Sequence, residues 1–134
     1  MNTNIQSILL IDDDDDDRYF FHTALQHVTE DVQLYTAGNG VDGLDKLKFV
    51  TPDVILLDLI MPRMNGVVFL KMLKRMPKFT EIPVIIYTTD LSIFQESELL
   101  SLGAAKIILK PNDLSTTEKT IRQILETNNY RVSA

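Results

Sequence analysis

Short apolar runs alternate along this chain with longer stretches of helical period. The runs are SILLI (7–11), VQLYT (32–36), DVILLD (53–58), PVIIYT (83–88) and KIIL (106–109). Three of them are apolar almost throughout, as strands covered on both faces are. VQLYT alternates, which suits an edge strand. Between the runs, apolar residues recur at helical spacing. Phe21, Ala24, Leu25 and Val28 form one stripe, Val41, Leu44 and Leu47 a second, and Phe69, Leu70, Leu73 and Met76 a third. The fourth stretch, about 92–102, is the least regular; its best stripe is Ile93, Ser97 and Leu100. Ile121, Ile124 and Leu125 mark a fifth helix, with Ser115-x-x-Glu118 as a capping box at its start. Pro52, Pro83 and Gly103 each precede a strand and act as breaks.

Five β/α repeats predict an α/β fold: a parallel sheet with helices on both faces, because right-handed crossovers leave few alternatives. Ligands of such open sheets sit outside the carboxyl ends of the strands. The residues there are Asp12 and Asp13, Asp58, Thr88 and Thr89, and Lys110. Crowded carboxylates repel unless a cation neutralises them or one is protonated. With no histidine or cysteine among them, the ligand set is all oxygen, which suits Mg2+ or Mn2+. Lys110 and Thr88 suit phosphate oxygens. Asp58, on the central strand, is a candidate nucleophile, since aspartate can accept a phosphoryl group.

Charge sharpens this picture. There are 19 acidic and 13 basic residues, and six of the acids are the run Asp12 to Asp17; without that run the chain has 13 of each. The acidity is local, which disfavours nucleic-acid or anionic-membrane partners. The run does not fit an EF-hand. A loop starting at Asp12 needs glycine at 17 and glutamate at 23, where the chain has Asp17 and Thr23; starting at Asp13, it meets Arg18 and Ala24. Asp14 to Asp17 read as a cap and first helical turn, favoured by the helix dipole. His22 and His27 have no partner at metal spacing and read as surface residues. The absence of cysteine excludes disulfides and thiolate chemistry. The start, MNTNIQS, lacks a signal pattern, and no apolar stretch approaches 18 residues, so a cytoplasmic location is expected.

In order and at strand ends, these residues resemble the receiver domain of two-component response regulators. The resemblance rests on LLIDD, DVILLDLIMPRMNG, PVIIYTT and LKP, and covers residues 7 to about 127. It implies a flavodoxin-like doubly wound (βα)5 sandwich with strand order 2-1-3-4-5, and a single domain over 1–134. It implies that Asp58 accepts phosphate from a histidine kinase or histidine phosphotransfer protein. Mg2+, or Mn2+ in its place, would be held by Asp13, Asp58 and the Ile60 backbone carbonyl, with Asp12 acting through water. Thr88 and Lys110 would hold the phosphoryl oxygens. The Lys110–Pro111 bond is commonly cis in the family.

The sequence departs from the family at Ile107, where receivers usually carry tyrosine or phenylalanine. Ile60 and Asp90 stand where, in the family, the residues tune phosphate lifetime, so the resemblance implies an altered lifetime. The resulting expectation is a stand-alone switch, monomeric or weakly dimeric, acting on an unidentified output protein. A degenerate receiver used as a docking module is the alternative, with Ile107 its only support. A haloacid-dehalogenase-type phosphohydrolase would need a second aspartate where Ile60 stands.

Overall fold

The computed structural model describes residues 5–126. The first residues of MNTNIQS, the residue at 127 where the receiver resemblance ends, and the tail NNYRVSA lie outside that range. The elements run β1 (Ser7–Ile11), α1 (Asp15–Val28), β2 (Gln33–Ala37), α2 (Gly40–Lys46), β3 (Val54–Leu57), α3 (Gly66–Lys74), β4 (Val84–Thr88), α4 (Glu96–Ser101), β5 (Lys106–Leu109) and α5 (Leu114–Glu126). All strand pairs are parallel, in the order β2-β1-β3-β4-β5. The expected flavodoxin-like sandwich is therefore present, and β2 lies at an edge.

Alternation along the strands divides the core in two. Leu9, Ile11, Ile55, Leu57, Val84 and Ile86 face one way and pack with Phe69, Leu70 and Leu73 of α3 and Leu99 of α4. Ile8, Leu10, Val54, Leu56, Ile85 and Tyr87 face the other way, against Phe21, Ala24 and Leu25 of α1 and Ile121, Ile124 and Leu125 of α5. Period-2 alternation on a sheet covered on both sides makes β1, β3 and β4 apolar almost throughout. Ile107 packs partly buried against the first cluster, beside Ile86 in register. His27 Nδ1 lies 2.9 Å from Glu118 Oε2, linking α1 to α5.

Several expectations need correction. The fourth helix is only six residues long. Its buried residue is Leu99, while Ile93 is 74% and Leu100 49% exposed. A turn closed by Phe94 N–H to the Leu91 carbonyl precedes it, so the inward side chains Leu91, Phe94, Leu99 and Leu102 follow no single helical period. Met76 lies beyond α3 and is half-exposed. The start of α5 is held by Asp113, whose carboxylate accepts the Thr116 N–H at 2.7 Å; Ser115 is already inside the helix and Glu118 turns to His27. No peptide bond among the described residues is cis, so Lys110–Pro111 is trans, the isomer favoured even before proline.

Candidate functional site

Parallel register brings the strand ends together. Ile11 is in register with Leu57, so Asp12 and Asp58 follow side by side, and the Asp58 N–H donates to the Ile11 carbonyl at 3.0 Å. Leu57 pairs with Ile86, which places Thr88 two residues further along β4. The Lys110 N–H donates to the Thr88 carbonyl at 2.8 Å and sets the lysine just past β5.

Asp58 is 8% exposed and both its oxygens have donors. The Thr88 hydroxyl donates to Oδ1 at 2.9 Å, and the Ile60 N–H reaches the same oxygen at 3.4 Å. Lys110 Nζ lies 3.3 Å from Oδ2. The lysine also pairs with Asp12 Oδ2 at 2.5 Å and Asp17 Oδ2 at 2.9 Å. Burial works against its charge, but hydrogen bonds to Asp12 and Asp17 and the nearby carboxylates outweigh burial, so its pKa is raised and it stays protonated. Burial pushes the Asp12 carboxyl up, against the pull of Lys110 and the Asp14 N–H. Tyr87 lies beneath, its ring centroid 6.0 Å from Lys110 Nζ, and burial raises its phenol to about 12.

Asp12, Asp13 and Asp58 each offer a carboxylate oxygen, all within 4.8 Å of one another. Asp12 and Asp58 are buried and Asp13 is exposed. Three hard oxygen donors with one side open fit Mg2+ or Mn2+, which keep waters in their shell. The loop after β3 is shaped for this edge. Arg63 sits at φ 69°, a left-handed conformation that costs a non-glycine residue about 1–2 kcal/mol. The Gly66 N–H closes back on the Leu59 carbonyl at 2.9 Å, and the Asn65 side chain caps α3.

The structure thus brings together Asp12, Asp13, Asp58, Thr88 and Lys110. Ile60 adjoins them through its backbone, and the residue is 51% exposed. Thr89 is exposed beside Lys110 and Pro111. Sequence reasoning missed Asp17, which it grouped with the solvated turn. The Asp14 side chain accepts the Asp16 and Asp17 N–H groups, and Asp15 pairs with Arg18, but Asp17 reaches Lys110. Its spacing was a signal: Asp17 is four residues before buried Phe21, on the inward stripe of α1.

The family model for the response regulator receiver domain matches residues 8–122. A protein-glutamate methylesterase/protein-glutamine glutaminase of Treponema denticola is 41% identical over 99 residues, 66% of this chain and 25% of that protein. The chain thus spans about a quarter of that relative's length. The chemotaxis response regulator CheY4 of Vibrio cholerae superposes with a TM-score of 0.76 at 28% identity, covering 91% of this chain and all of that one. The Mn2+-bound form of response regulator Rcp1 has a TM-score of 0.76 at 25% identity, covering 96% and 99%. A match across most of the described residues, joined to this strand order and this cluster at the sheet edge, makes the chain a member of the response regulator receiver domain family of two-component systems.

Proposed function

We propose that the chain is a phosphoacceptor switch in which Asp58 takes a phosphoryl group from a histidine kinase or histidine phosphotransfer protein. The observation that carries this reading is the pairing of Asp58's two oxygens, Oδ1 with the Thr88 hydroxyl and Oδ2 with the Lys110 ammonium. An oxygen of Asp58 forms the new bond to phosphorus as the bond from phosphorus to the donor breaks. Thr88 and Lys110 then turn from the carboxylate to the phosphoryl oxygens and neutralise their charge. Asp13, Asp58 and the Ile60 carbonyl would hold Mg2+ or Mn2+, with Asp12 acting through water. The exposure of Asp13 and the commitment of Asp12 to Lys110 support that division. A divalent ion there supplies positive charge that screens the carboxylates from an incoming phosphoryl group.

Residues 1–134 serve as a single receiver domain in the cytoplasm, with no catalytic turnover of an external substrate. Phosphorylation moves the Thr88 hydroxyl from Asp58 Oδ1 to a phosphoryl oxygen and reshapes the face made by α4, β5 and α5, a local charge event that biases a two-state element. With Ile107 in place of an aromatic ring, that motion is read out through packing alone. Output passes by contact with another protein or by onward transfer. Among the described residues no helix is long and apolar enough to cross a membrane. Incubation with acetyl phosphate and Mg2+, followed by intact-mass spectrometry, tests the reading. One added phosphoryl group, absent from Asp58→Asn, is expected. No gain in the wild type refutes it, and turnover of many unrelated phosphomonoesters would indicate an enzyme instead.

A further inference from the structure

Asp17 has no part in the assignment above, yet it holds one of the three N–H groups of Lys110. An ammonium has three donors and no acceptor. Here each has a carboxylate: Asp12 at 2.5 Å, Asp17 at 2.9 Å and Asp58 at 3.3 Å. Asp12 and Asp58 belong to strand ends, whereas Asp17 is the third residue of α1. The lysine side chain is 7% exposed, and the Asp17 side chain, at 41%, forms the outer wall of its site.

We infer that Asp17 is a positioning residue for phosphoryl transfer, one that fixes the rotation of the Lys110 ammonium so that its remaining N–H faces Asp58. The inference rests on the phosphoacceptor reading. A lysine head held only by Asp12 and the long 3.3 Å contact to Asp58 can still turn away from Asp58, because the stem is flexible and the ammonium rotates freely. A second short anchor, Asp17 on α1, removes that freedom. The contact to Asp58 is the longest of the three, so it is the one that passes most easily to a phosphoryl oxygen. Asp12 and Asp17 keep their donors throughout, so only the third N–H passes from Asp58 to a phosphoryl oxygen.

The neighbours of Asp17 do not share this role. Asp14 caps α1, Asp15 pairs with Arg18, and Asp16 is exposed. Asp17 also lies outside the carboxylate trio that would hold the metal. Its loss should therefore act on Lys110 and leave metal affinity alone.

Asp17→Ala, Asp17→Asn and Asp16→Ala separate positioning from bulk charge, because the asparagine oxygen still accepts the Lys110 bond without the charge. At saturating Mg2+, labelling of Asp17→Ala by acetyl phosphate should slow roughly five- to tenfold, the scale of misdirecting one charged hydrogen bond. Asp17→Asn should keep at least about half of the wild-type rate, and Asp16→Ala should match wild type. The Mg2+ concentration for half-maximal labelling should move less than about twofold in all three, since none of these side chains is in the carboxylate trio.

In the unphosphorylated protein, NMR of the Lys110 ammonium should give a slowly exchanging signal in wild type and Asp17→Asn, lost in Asp17→Ala. Labelling of Asp17→Ala at the wild-type rate overturns the inference. So does an Asp17→Asn as slow as Asp17→Ala, or an ammonium signal that persists in Asp17→Ala. A wild type that shows the NMR pattern but takes no phosphoryl group refutes the phosphoacceptor reading, and the inference falls with it. A labelled wild type with an unaffected Asp17→Ala sinks the inference alone.

Discussion

Replacing Gly66 by alanine adds one methyl group against the backbone that carries Asp58. Gly66 is buried at the first position of α3, and its φ is not positive, so alanine can adopt the conformation. The added Cβ would overlap the Asp58 carbonyl oxygen and lie 2.7 Å from Leu59 Cα and 3.1 Å from the Asp58 carbonyl carbon. All three are main-chain atoms, so no side chain can rotate away. Reaching ordinary contact requires a shift of roughly one ångström, shared between α3 and the end of β3. Overpacking of this kind costs about 1–3 kcal/mol. The better helix propensity of alanine returns up to about 1 kcal/mol. The net loss is therefore about 1–2 kcal/mol. For a chain of this size that lowers Tm by roughly 3–10 °C. The same shift moves Asp58 relative to Thr88 and Lys110, and a displacement of that size slows labelling roughly tenfold. Thermal unfolding by circular dichroism and acetyl phosphate labelling measure the two effects. A Gly66→Ala protein with unchanged or higher Tm and wild-type labelling would refute the packing argument.

Three further outcomes follow from the same geometry. Burial holds the Tyr87 phenol at about 12, against about 10 in the unfolded chain, so the unfolded state loses its proton first and stability falls as pH rises from about 10 to 12. The loss approaches about 2–3 kcal/mol and should be absent from the pH dependence of urea unfolding in Tyr87→Phe; equal slopes in the two proteins contradict it. Asp13→Ala should abolish Mg2+-dependent labelling while Asp16→Ala barely alters it, and equal behaviour would show that the acidic run is not divided as described. Leu56, fully buried between β1 and β4, should cost about 2–5 kcal/mol on truncation to alanine in a denaturant melt, whereas a cost below about 1 kcal/mol would mean the sheet closes over the cavity.

The strands were readable because burial on both faces leaves few polar residues in β1, β3 and β4, and because β2 alternates at its edge. The site was readable because one topological rule names the strand ends, and register then fixes their neighbours. What failed depended on contacts between distant segments. The stretch 91–102 folds as a turn followed by six helical residues, so its inward side chains show no single period. NDLSTTE offers more than one capping residue, and Asp113 takes the cap while Glu118 is drawn to His27, 91 positions away. Asp17 looked like any carboxylate of a first helical turn. Only the packing of α1 on the sheet, which sets its first turn at the strand ends, shows that it meets Lys110, although its spacing from Phe21 already placed it on the inward stripe. The left-handed Arg63 has no signature in PRMNG, because nothing local demands it there.

The central claim is that one carboxylate, Asp58, is the acceptor, and the most direct test is to find the phosphate. Borohydride reduces an aspartyl phosphate to homoserine, so the protein is labelled with acetyl phosphate and Mg2+, reduced, digested and sequenced by tandem mass spectrometry. The account predicts homoserine at residue 58 and at none of Asp12 to Asp17, with no conversion in EDTA. Homoserine at Asp12 or Asp13, or a labelled protein with residue 58 unchanged, would contradict it.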